Sequence, residues 1–408
     1  MKKQIVPIII LLLVFPLFSG CLDQNIDNEN ITAIYSGTVL KKELLLKAAP
    51  VSDGYLLSTR DGVEKYSLKG ELVWQKKYSF IPNDKDAILR LSHLIIAAST
   101  DDSFVIGFSF ERYWTVEGSV YYDPVLAKCD KNGDLLWHKE YKGFESTAFK
   151  KIFIRSDGKI ITIGTTKQPG TDRQADIYVS MLKPDGQVIN EKYYGGPEMM
   201  ELFRDAGYID GIGLAAMIDA QSGGNYFSSP IGGNLLVLFD DDNLNIKWSL
   251  AIPLFFRMAV TNEAVYLLKL SSVTPDSILR KIDFNGKIVF DETIDHRGAV
   301  AANFVGNSRY GLLIQNEDKE LVFYQDKSSA MTIEFNDGKA YRIMELDDGF
   351  IIVSVKVTGI LPTPIYISTI WFSTDIIYSG YDANGKLLWR YAYDNTPPEL
   401  YEKSKNSL

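Results

Sequence analysis

A segment of the form Asp-x-Asn-Gly-x-Leu-Leu-Trp occurs twice in this 408-residue chain, at residues 130–137 and 382–389. Weaker versions recur between the two copies. Each copy reads as the end of one strand, a tight turn at Asn-Gly, and a second strand that contains a Trp. Asn and Gly suit tight hairpins because such turns need positive φ angles, which both residues adopt at low cost. A supersecondary unit that recurs along a chain dictates the architecture of the whole chain.

Short strand patterns follow one another from residue 43 onward, and they group into units of four strands, which we label A to D. In the first unit the predicted strands are residues 43–50, 55–60, 63–68 and 71–78. Six further units span residues 87–141, 148–194, 202–252, 255–294, 299–335 and 340–393. Four strands repeated about every 50 residues are typical of a β-propeller. We therefore predict an all-β fold, a single β-propeller of seven four-stranded blades over residues 41–395. Because the sixth unit is the most degraded, six or eight blades stay open.

The position four residues after the glycine of the C–D turn is aromatic in most units. The residues at this position are Trp74, Trp137, Asn190, Phe290 and Trp389, with Trp248 in the unit where Leu244 replaces the glycine. An aromatic ring in this register can fill the wedge-shaped gap between neighbouring blades. We predict that each ring packs against the next unit along the chain.

The N-terminus has the pattern of a secretory signal. Two lysines precede an apolar run over residues 5–18, and Ser19-Gly20-Cys21 follows it. This end resembles the lipobox of prokaryotic lipoproteins, and the resemblance implies that Cys21 is lipidated and becomes the first mature residue. Diacylation would supply the two chains that stable membrane attachment needs. The alternative is an ordinary cleaved signal in which Cys21 has no role.

These patterns predict the domain organisation. Residues 1–20 are a lipoprotein signal peptide, and residues 21–40 are a tether with a possible strand that latches the first and last blades. The propeller follows, and residues 396–408 are a flexible tail. The expected location is the extracytoplasmic face of a prokaryotic membrane, in the cell envelope.

A second resemblance concerns the repeats. Residues 176–189, followed by Tyr193-Tyr194-Gly195-Gly196, look like a bacterial and archaeal β-propeller repeat, and the Asn-Gly-x-Leu-Leu-Trp segments resemble the quinoprotein-like, PQQ-type propeller repeats. The likeness covers most of residues 43–394 and implies the fold. It implies no activity, because the quinone enzymes of that superfamily often have adjacent cysteines, and this chain has no vicinal pair. We predict no cofactor.

Charge and composition exclude some functions. Removal of residues 1–20, with Lys2 and Lys3, moves the net charge from -9 to -11, which argues against a nucleic-acid partner. After lipidation of Cys21 only Cys129 remains, and its position after an apolar strand predicts a core residue. The three histidines lie far apart in sequence and form no zinc pattern.

No motif for catalysis or metal binding is present, so we predict no catalytic residue and no metal ligand. The Asp-x-Asn-Gly segments lack the further acidic ligands of a calcium loop, and plain hairpin turns explain them better. The acidic run at residues 240–243 is the one place where calcium stays an alternative. Carboxylates from distant blades could also meet in a central channel, where they would support a hydrolase or lyase.

The connections between strands B and C are long in several units. The long ones span residues 112–123, 167–176, 221–233, 271–276 and 358–367. Because strands alternate in direction, B–C and D–A connections lie on one face of a propeller. Loops on a rigid scaffold commonly bind partners, and aromatic side chains give large contact area at low entropic cost. The predicted binding residues are Arg112, Tyr113, Trp114, Tyr121, Tyr122, Arg173, Tyr226, Phe227 and Tyr366.

The sequence therefore predicts a lipid-anchored platform without catalytic activity that binds a peptide, a protein or a glycan. Two alternatives stay open. One is the hydrolase or lyase with carboxylates in the channel, which would need acidic and basic groups within hydrogen-bond reach of each other. The other is a scaffold for the assembly of envelope proteins, which would need a broad apolar patch on one rim.

Overall fold

A computed structural model describes the chain in residues 48–58, 62–80, 89–91, 95–108, 110–115, 118–121, 124–141, 148–166, 176–195, 201–220, 233–252, 257–269, 276–295, 301–304, 312–315, 320–325, 328–336, 339–346, 349–361 and 371–394. Every element in these ranges is a β-strand. The signal peptide, the tether with its possible latch strand, and the tail lie outside the described residues.

The strands form seven four-stranded sheets and one three-stranded sheet. The four-stranded sheets, numbered as blades along the chain, are as follows. Blade 1 has β1 (Ala48–Val51), β2 (Gly54–Ser58), β3 (Gly62–Ser67) and β4 (Leu72–Lys77), and β5 (Leu89–Leu91) follows it in the chain. Blade 2 has β6 (Ile95–Ala98), β7 (Phe104–Phe108), β10 (Val125–Cys129) and β11 (Leu135–Glu140), with β8 (Phe110–Thr115) and β9 (Gly118–Tyr121) inserted between its second and third strands. Blade 3 has β12 (Ala148–Ile154), β13 (Ile160–Thr166), β14 (Asp176–Leu182) and β15 (Val188–Tyr194).

The remaining blades follow the same A-to-D order. Blade 4 has β16 (Glu201–Ile209), β17 (Gly213–Ala220), β18 (Gly233–Asp240) and β19 (Ile246–Ile252). Blade 5 has β20 (Arg257–Val260), β21 (Val265–Lys269), β22 (Asp276–Ile282) and β23 (Ile288–Asp295). Blade 6 has β24 (Ala301–Phe304), β25 (Leu312–Gln315), β26 (Glu320–Gln325) and β27 (Ser328–Glu334). Blade 7 has β28 (Lys339–Leu346), β29 (Gly349–Leu361), β30 (Trp371–Asp382) and β31 (Leu387–Asp394).

The blades close into a ring with their A strands innermost. Each A strand contacts the A strand of the next blade, and β28 of the last blade contacts β1 of the first. The chain is thus a single all-β propeller, as the sequence predicts. The face that bears the B–C and D–A connections is called the B–C face below, and the face that bears the A–B and C–D turns is called the opposite face.

The prediction of seven like four-stranded blades needs a correction. Six blades have described side chains on all four strands, and blade 6 has them only over residues 331–336. The packing of a four-stranded blade can therefore be followed in six blades rather than in seven. The structure also has a sheet that the prediction lacked, with the strand order β5-β8-β9. The physical reason is the length of the B–C insertion in the second unit, which is enough for a hairpin of its own. The chain is therefore not a plain repetition of one four-stranded unit.

The turns between C and D strands differ from the predicted form. In the turn of blade 2, Gly133 has a φ of 80°, whereas the only non-glycine residues with positive φ among those described are Asp102 and Leu244. The Gly133 amide donates to the Asp130 carbonyl, and the Asp130 carboxylate accepts from the amides of Asn132 and Asp134 at 2.9 Å. This is a type I turn followed by a left-handed glycine, so the prediction that Asn also needs positive φ was wrong. The Asp side chain caps the turn and thereby explains the Asp-x-Asn-Gly pattern.

The core lies between the blades. The middle strands are buried on both sides, and every residue of β7 and of β14 is buried. The outer strands β4 and β11 alternate between exposed and half-buried residues. Cys129 is fully buried with the apolar residues between blades 1 and 2, so the prediction that it fills the core is confirmed. Burial raises the pKa of its thiol to about 11, which keeps the thiol protonated near neutral pH.

In blades 1, 2, 4 and 7 the D-strand Trp residue contacts the next blade, as predicted. Trp137 of blade 2 donates from Nε1 to the Pro184 carbonyl in the C–D turn of blade 3, at 3.0 Å. Trp248 of blade 4 donates in the same way to Phe284 of blade 5, at 2.8 Å. A Cβ on Gly186 would lie 2.8 Å from the Trp137 ring, so glycine is required in that turn for the ring to approach.

A tyrosine four residues later adds a second hydrogen bond at several of these seams. The hydroxyl groups of Tyr78, Tyr141 and Tyr194 donate to carbonyl groups in the next blade's C–D turn, at Gly133, Gly186 and Leu244, over 2.6 to 2.9 Å. Each donation satisfies a carbonyl that a C–D turn would otherwise present to the seam. The recurring motif is therefore an inter-blade latch, and its role is structural.

Candidate functional site

The B–C face is raised above blade 2 by the three-stranded sheet. Strands β8 and β9 come from the B–C connection of blade 2, and β5 comes from the D–A connection that precedes this blade. Leu89 pairs with Arg112 and Leu91 with Phe110, which joins the two connections in one sheet. The pairing agrees with the prediction that both kinds of connection lie on the same face.

The same face is raised above blade 7 by a two-stranded ribbon. Strands β29 and β30 pair continuously to Leu361 and Trp371, whereas the flanking strands stop opposite Val355 and Asp375. Residues 356–361 and 371–374 therefore extend beyond the blade. The ribbon takes the place of part of the long B–C loop that the sequence predicts over residues 358–367.

Blade 1 lies between these two elements and has a short B–C connection. Its B strand ends at Ser58 and its C strand begins at Gly62. Since blades 7, 1 and 2 are neighbours in the ring, the ribbon and the three-stranded sheet flank a lower segment. We call these three parts together the raised face.

The structure brings four of the predicted binding residues together by their backbone positions. Arg112, Tyr113 and Trp114 lie in β8, and Tyr121 lies in β9, where it pairs with Glu111. The other five predicted binding residues and the lipidation site lie outside the described residues, and they stay predictions. They are Tyr122, Arg173, Tyr226, Phe227, Tyr366 and Cys21.

The mouth of the central channel on this face carries charge pairs that the sequence reasoning missed. The Lys151 ammonium contacts the Asp205 carboxylate of the next blade and donates to the Ala206 carbonyl at 2.8 Å. Within blade 4, Arg204 Nη2 lies 2.7 Å from Asp219 Oδ2. These side chains are one-fifth to two-fifths exposed, so they line an accessible surface.

Three A strands have a β-bulge near this mouth. The register of the A–B pairing shifts between Phe149 and Lys151, between Phe203 and Asp205, and between Ala340 and Arg342. The extra residues are Lys150, Arg204 and Tyr341. Bulges re-aim side chains and are common beside functional sites. A sequence signal for this site was present, because basic residues recur near the start of several A strands.

Acidic residues stand opposite each other at the outer part of the B–C face in three consecutive blades. The directly opposed residues are Asp276 and Asp295 in blade 5, Glu320 and Glu334 in blade 6, and Asp375 and Asp394 in blade 7. Like charges at directly opposed positions destabilise a sheet. The outer rim of these blades is therefore acidic, whereas the channel mouth inside it has several basic residues.

The opposite face has its own charge cluster, centred on Arg155 in the A–B turn of blade 3. The Arg155 Nη1 donates to the Asp241 carbonyl at 2.7 Å and lies 3.3 Å from the Asp241 carboxylate. A hydrogen bond from Ser156 lowers the pKa of Asp210 below its ordinary value. Burial alone would raise the pKa of Asp157, but hydrogen bonds from Lys159 and the charge of Arg155 hold it below the ordinary value.

Tyr208 completes this cluster by hydrogen bonding to Asp241 at 2.6 Å, and burial strongly raises its pKa. Asp157 and Asp210 are therefore ionised at neutral pH, close to the Arg155 guanidinium. Such groups stabilise the seam between blades 3 and 4, and their lowered pKa values do not suit a general acid.

In the described part of the chain, no group of three His, Cys, Asp or Glu side chains is placed to hold a metal ion. At the acidic run of residues 240–243, the Asp240 carboxylate accepts hydrogen bonds from the amides of Asp242 and Asn243. No helix in the described ranges could cross a lipid bilayer.

No family model matches this sequence, and no curated protein matches it. Among solved structures, the chain is similar to BamB from Moraxella catarrhalis, with 14% identity, coverage of 76% of this chain and 93% of that chain, and a TM-score of 0.40. It is similar to the WD40 domain of Pan2 from Neurospora crassa, with 8% identity, coverage of 76% and 85%, and a TM-score of 0.47. It is also similar to the dihydro-heme d1 dehydrogenase NirN, with 10% identity, coverage of 86% and 67%, and a TM-score of 0.46. At these identities the likeness concerns the fold alone.

Proposed function

We propose that the protein is a lipid-anchored, extracytoplasmic binding platform without catalytic activity, and that its raised face binds an extended segment of a polypeptide partner. The observation that supports this proposal is the pair of raised elements that flank blade 1. We further propose that the repeats are of the quinoprotein-like type, which the Trp latches between blades support.

The raised elements present strand edges. In the sheet β5-β8-β9 the strands β5 and β9 are the two edges. In the ribbon, residues 356–361 and 371–374 belong to two strands that pair with each other, and no third described strand pairs with either of them. An exposed strand edge offers backbone donors and acceptors to another chain, and an extended peptide can add to it as a further strand. Such addition recognises a polypeptide, because the partner must supply a regular row of amide and carbonyl groups. Among peptides, proteins and glycans, we therefore favour a polypeptide.

The entry of the chain into the ring fits an anchor on this side. Strand β1 is an A strand, and A strands run from the B–C face to the opposite face, so the described chain begins on the B–C face at Ala48. The segment from Cys21 to Ala48 can span roughly 90 Å when it is fully extended. This length leaves room for a partner between the raised face and the membrane.

Capture of partners from envelope extracts tests the proposed face. The raised-face variant replaces residues 110–121 by a short Gly-Ser linker, and the matched control carries Leu136→Ser and Leu388→Ser, two exposed residues at the outer rim of the opposite face. We expect the full chain and the rim control to recover the same partner in amounts equal within error, and the raised-face variant to lose it. Recovery of that partner by the raised-face variant, or its loss only from the rim control, would overturn the proposal. Circular dichroism and thermal unfolding of each variant show whether the fold is retained.

Incorporation of a labelled fatty acid tests the anchor. The wild-type chain should incorporate the label and fractionate with membranes, and Cys21→Ala should do neither. Label in the Cys21→Ala chain, or membrane fractionation without label in the wild type, would contradict the proposed lipidation.

A further inference from the structure

Basic residues gather at the ends of the A strands on the B–C face. In the first four residues of the seven A strands, the basic residues are Lys150, Lys151, Arg204, Arg257, Lys339 and Arg342, and the only acidic residue is Glu201. This concentration occurs in a chain whose net charge is -9. Composition therefore does not explain it, and the A-strand ends are basic for a local reason.

The topology brings these positions together. Each A strand contacts the A strands of the neighbouring blades, so the ends of these strands surround the channel mouth. The bulges at Lys150 and Arg204 place an additional basic residue in each of two adjacent A strands. Two carboxylates near the mouth, Asp205 and Asp219, already contact Lys151 and Arg204. Among these described positions, Asp205, Asp219 and Glu201 are three acidic residues against six basic ones.

The acidic outer rim of the B–C face strengthens the effect of the excess of basic residues at the channel mouth. The opposed acidic residues of blades 5 to 7 lie farther out on the same face, so an approaching anion is repelled by the rim and attracted by the mouth. Clefts in which one sign of charge is concentrated raise the local concentration of the opposite charge. The strongest attraction for an anion on this face is therefore at the channel.

We infer that the channel mouth binds carboxylate groups of an acidic polypeptide segment. This inference rests on the proposed function, because the strand edges of the raised face select a polypeptide and the mouth then selects the acidic side chains. Arginine residues suit this task because the guanidinium group can bind a carboxylate through two parallel hydrogen bonds.

Binding of a fluorescein-labelled hexaglutamate peptide to the full chain, followed by anisotropy at low and high salt, tests the inference. The mouth variant carries Lys150→Gln, Arg257→Gln and Arg342→Gln. The matched control removes three charges from exposed C–D turns of the opposite face, with Lys131→Gln, Lys183→Gln and Lys386→Gln. We expect the mouth variant to bind roughly tenfold more weakly than the control, since it loses three charges that would form accessible ion pairs with the peptide.

Each outcome decides the inference. Absence of binding to the wild type, or equal weakening in the mouth variant and the control, would overturn it. A hexalysine peptide that binds as well as hexaglutamate would overturn it as well. Tripolyphosphate should displace the peptide less effectively than unlabelled hexaglutamate; displacement that is equally effective would show a general anion site and overturn the assignment to a polypeptide. The proposed function fails separately, because it is judged by partner capture with the variant at residues 110–121.

Discussion

Two seams between blades are built from different chemistry. The closing seam joins blade 7 to blade 1, and the polar seam joins blade 3 to blade 4. At the closing seam Trp389 stacks on Tyr55 with ring centroids 5.7 Å apart, and its Nε1 donates to the Leu68 carbonyl, 321 residues away in sequence. At the polar seam Asn190 takes the place of Trp and donates from Nδ2 to the Asn243 carbonyl at 2.7 Å.

The two seams also differ in how the chain connects their blades. Blades 3 and 4 are consecutive, so the backbone already holds them close and a modest latch can be sufficient, although Trp137 and Trp248 join two other pairs of consecutive blades. Blades 7 and 1 are the two ends of the described chain, and each consists of strands from one continuous stretch, so no described strand is shared between them. Closure of a long loop costs more entropy than closure of a short one. The closing seam must offset this cost by side-chain contacts, and the Trp389 ring lies against both Gly70 and Gly380.

The largest expected effect comes from Trp389→Ala at the closing seam. We expect a loss of about 3 to 4 kcal/mol in the free energy of unfolding, because a large ring and its hydrogen bond are removed. Urea unfolding measures the loss. Trp137→Ala is the matched control, since Trp137 makes the same kind of latch between consecutive blades; its loss should be smaller. An equal loss for the two variants would show that ring closure places no special demand on Trp389.

A smaller effect is expected from Arg155→Ala at the polar seam. The substitution leaves the buried Asp241 carboxylate beside Asp157 and Asp210 without the central cation, and we expect a loss of about 2 kcal/mol in the same measurement. Arg155→Lys keeps the charge and should recover part of the loss. If Arg155→Ala unfolds at the wild-type urea concentration, the charge cluster does not replace the missing Trp latch.

Alkaline pH should weaken the polar seam through Tyr194. Burial raises the pKa of Tyr194 to about 12, so the folded state holds this proton more tightly than the unfolded state, whose tyrosines titrate near pH 10. The contribution is present below pH 10 and is lost as the pH rises through the folded pKa, by about 1.4 kcal/mol per pH unit for one group.

Urea unfolding of Tyr194→Phe from pH 9 to pH 11 checks this prediction. The wild-type stability should fall more steeply with pH than that of the variant. Parallel curves would show that Tyr194 does not contribute to the alkaline loss. Trp389→Ala should leave the pH dependence unchanged, because the indole does not titrate in this range.

The smallest expected effect comes from Asn190→Ala. This residue occupies the same repeat position as Trp389, but it contributes one hydrogen bond at an exposed site, so we expect a loss of about 1 kcal/mol or less. Urea unfolding beside Trp389→Ala gives the direct comparison. A loss as large as that of Trp389→Ala would contradict the view that consecutive blades need only a modest latch.

Several features could be predicted from the sequence because they repeat. Strands β2, β3 and β4 of blade 1 lie within two residues of the predicted bounds, and the rings at Trp137, Trp248 and Trp389 contact the next blade. Repetition makes such features predictable, since a turn that recurs with the same residues has the same local geometry in each copy. The burial of Cys129 follows from the same regular strand pattern.

Features that occur once were not predicted. The sheet β5-β8-β9 depends on pairing between two different connections, and the ribbon of blade 7 depends on how far β29 and β30 continue beyond their neighbours. The charge cluster around Arg155 joins turns that are 86 residues apart. The A-strand bulges could not be predicted, because a one-residue insertion does not alter the hydrophobic pattern enough to be recognised in a short strand.

The sequence alone determined that the chain is a ring of antiparallel blades and where each latch residue stands, because turn chemistry and strand alternation act over a few residues. Tertiary structure alone decided which seam closes the ring and which connections pair above blade 2. It also decided that the basic ends of the A strands meet around one channel. Those outcomes depend on contacts between residues far apart in sequence, and local preference does not encode which distant partners a closed ring brings together.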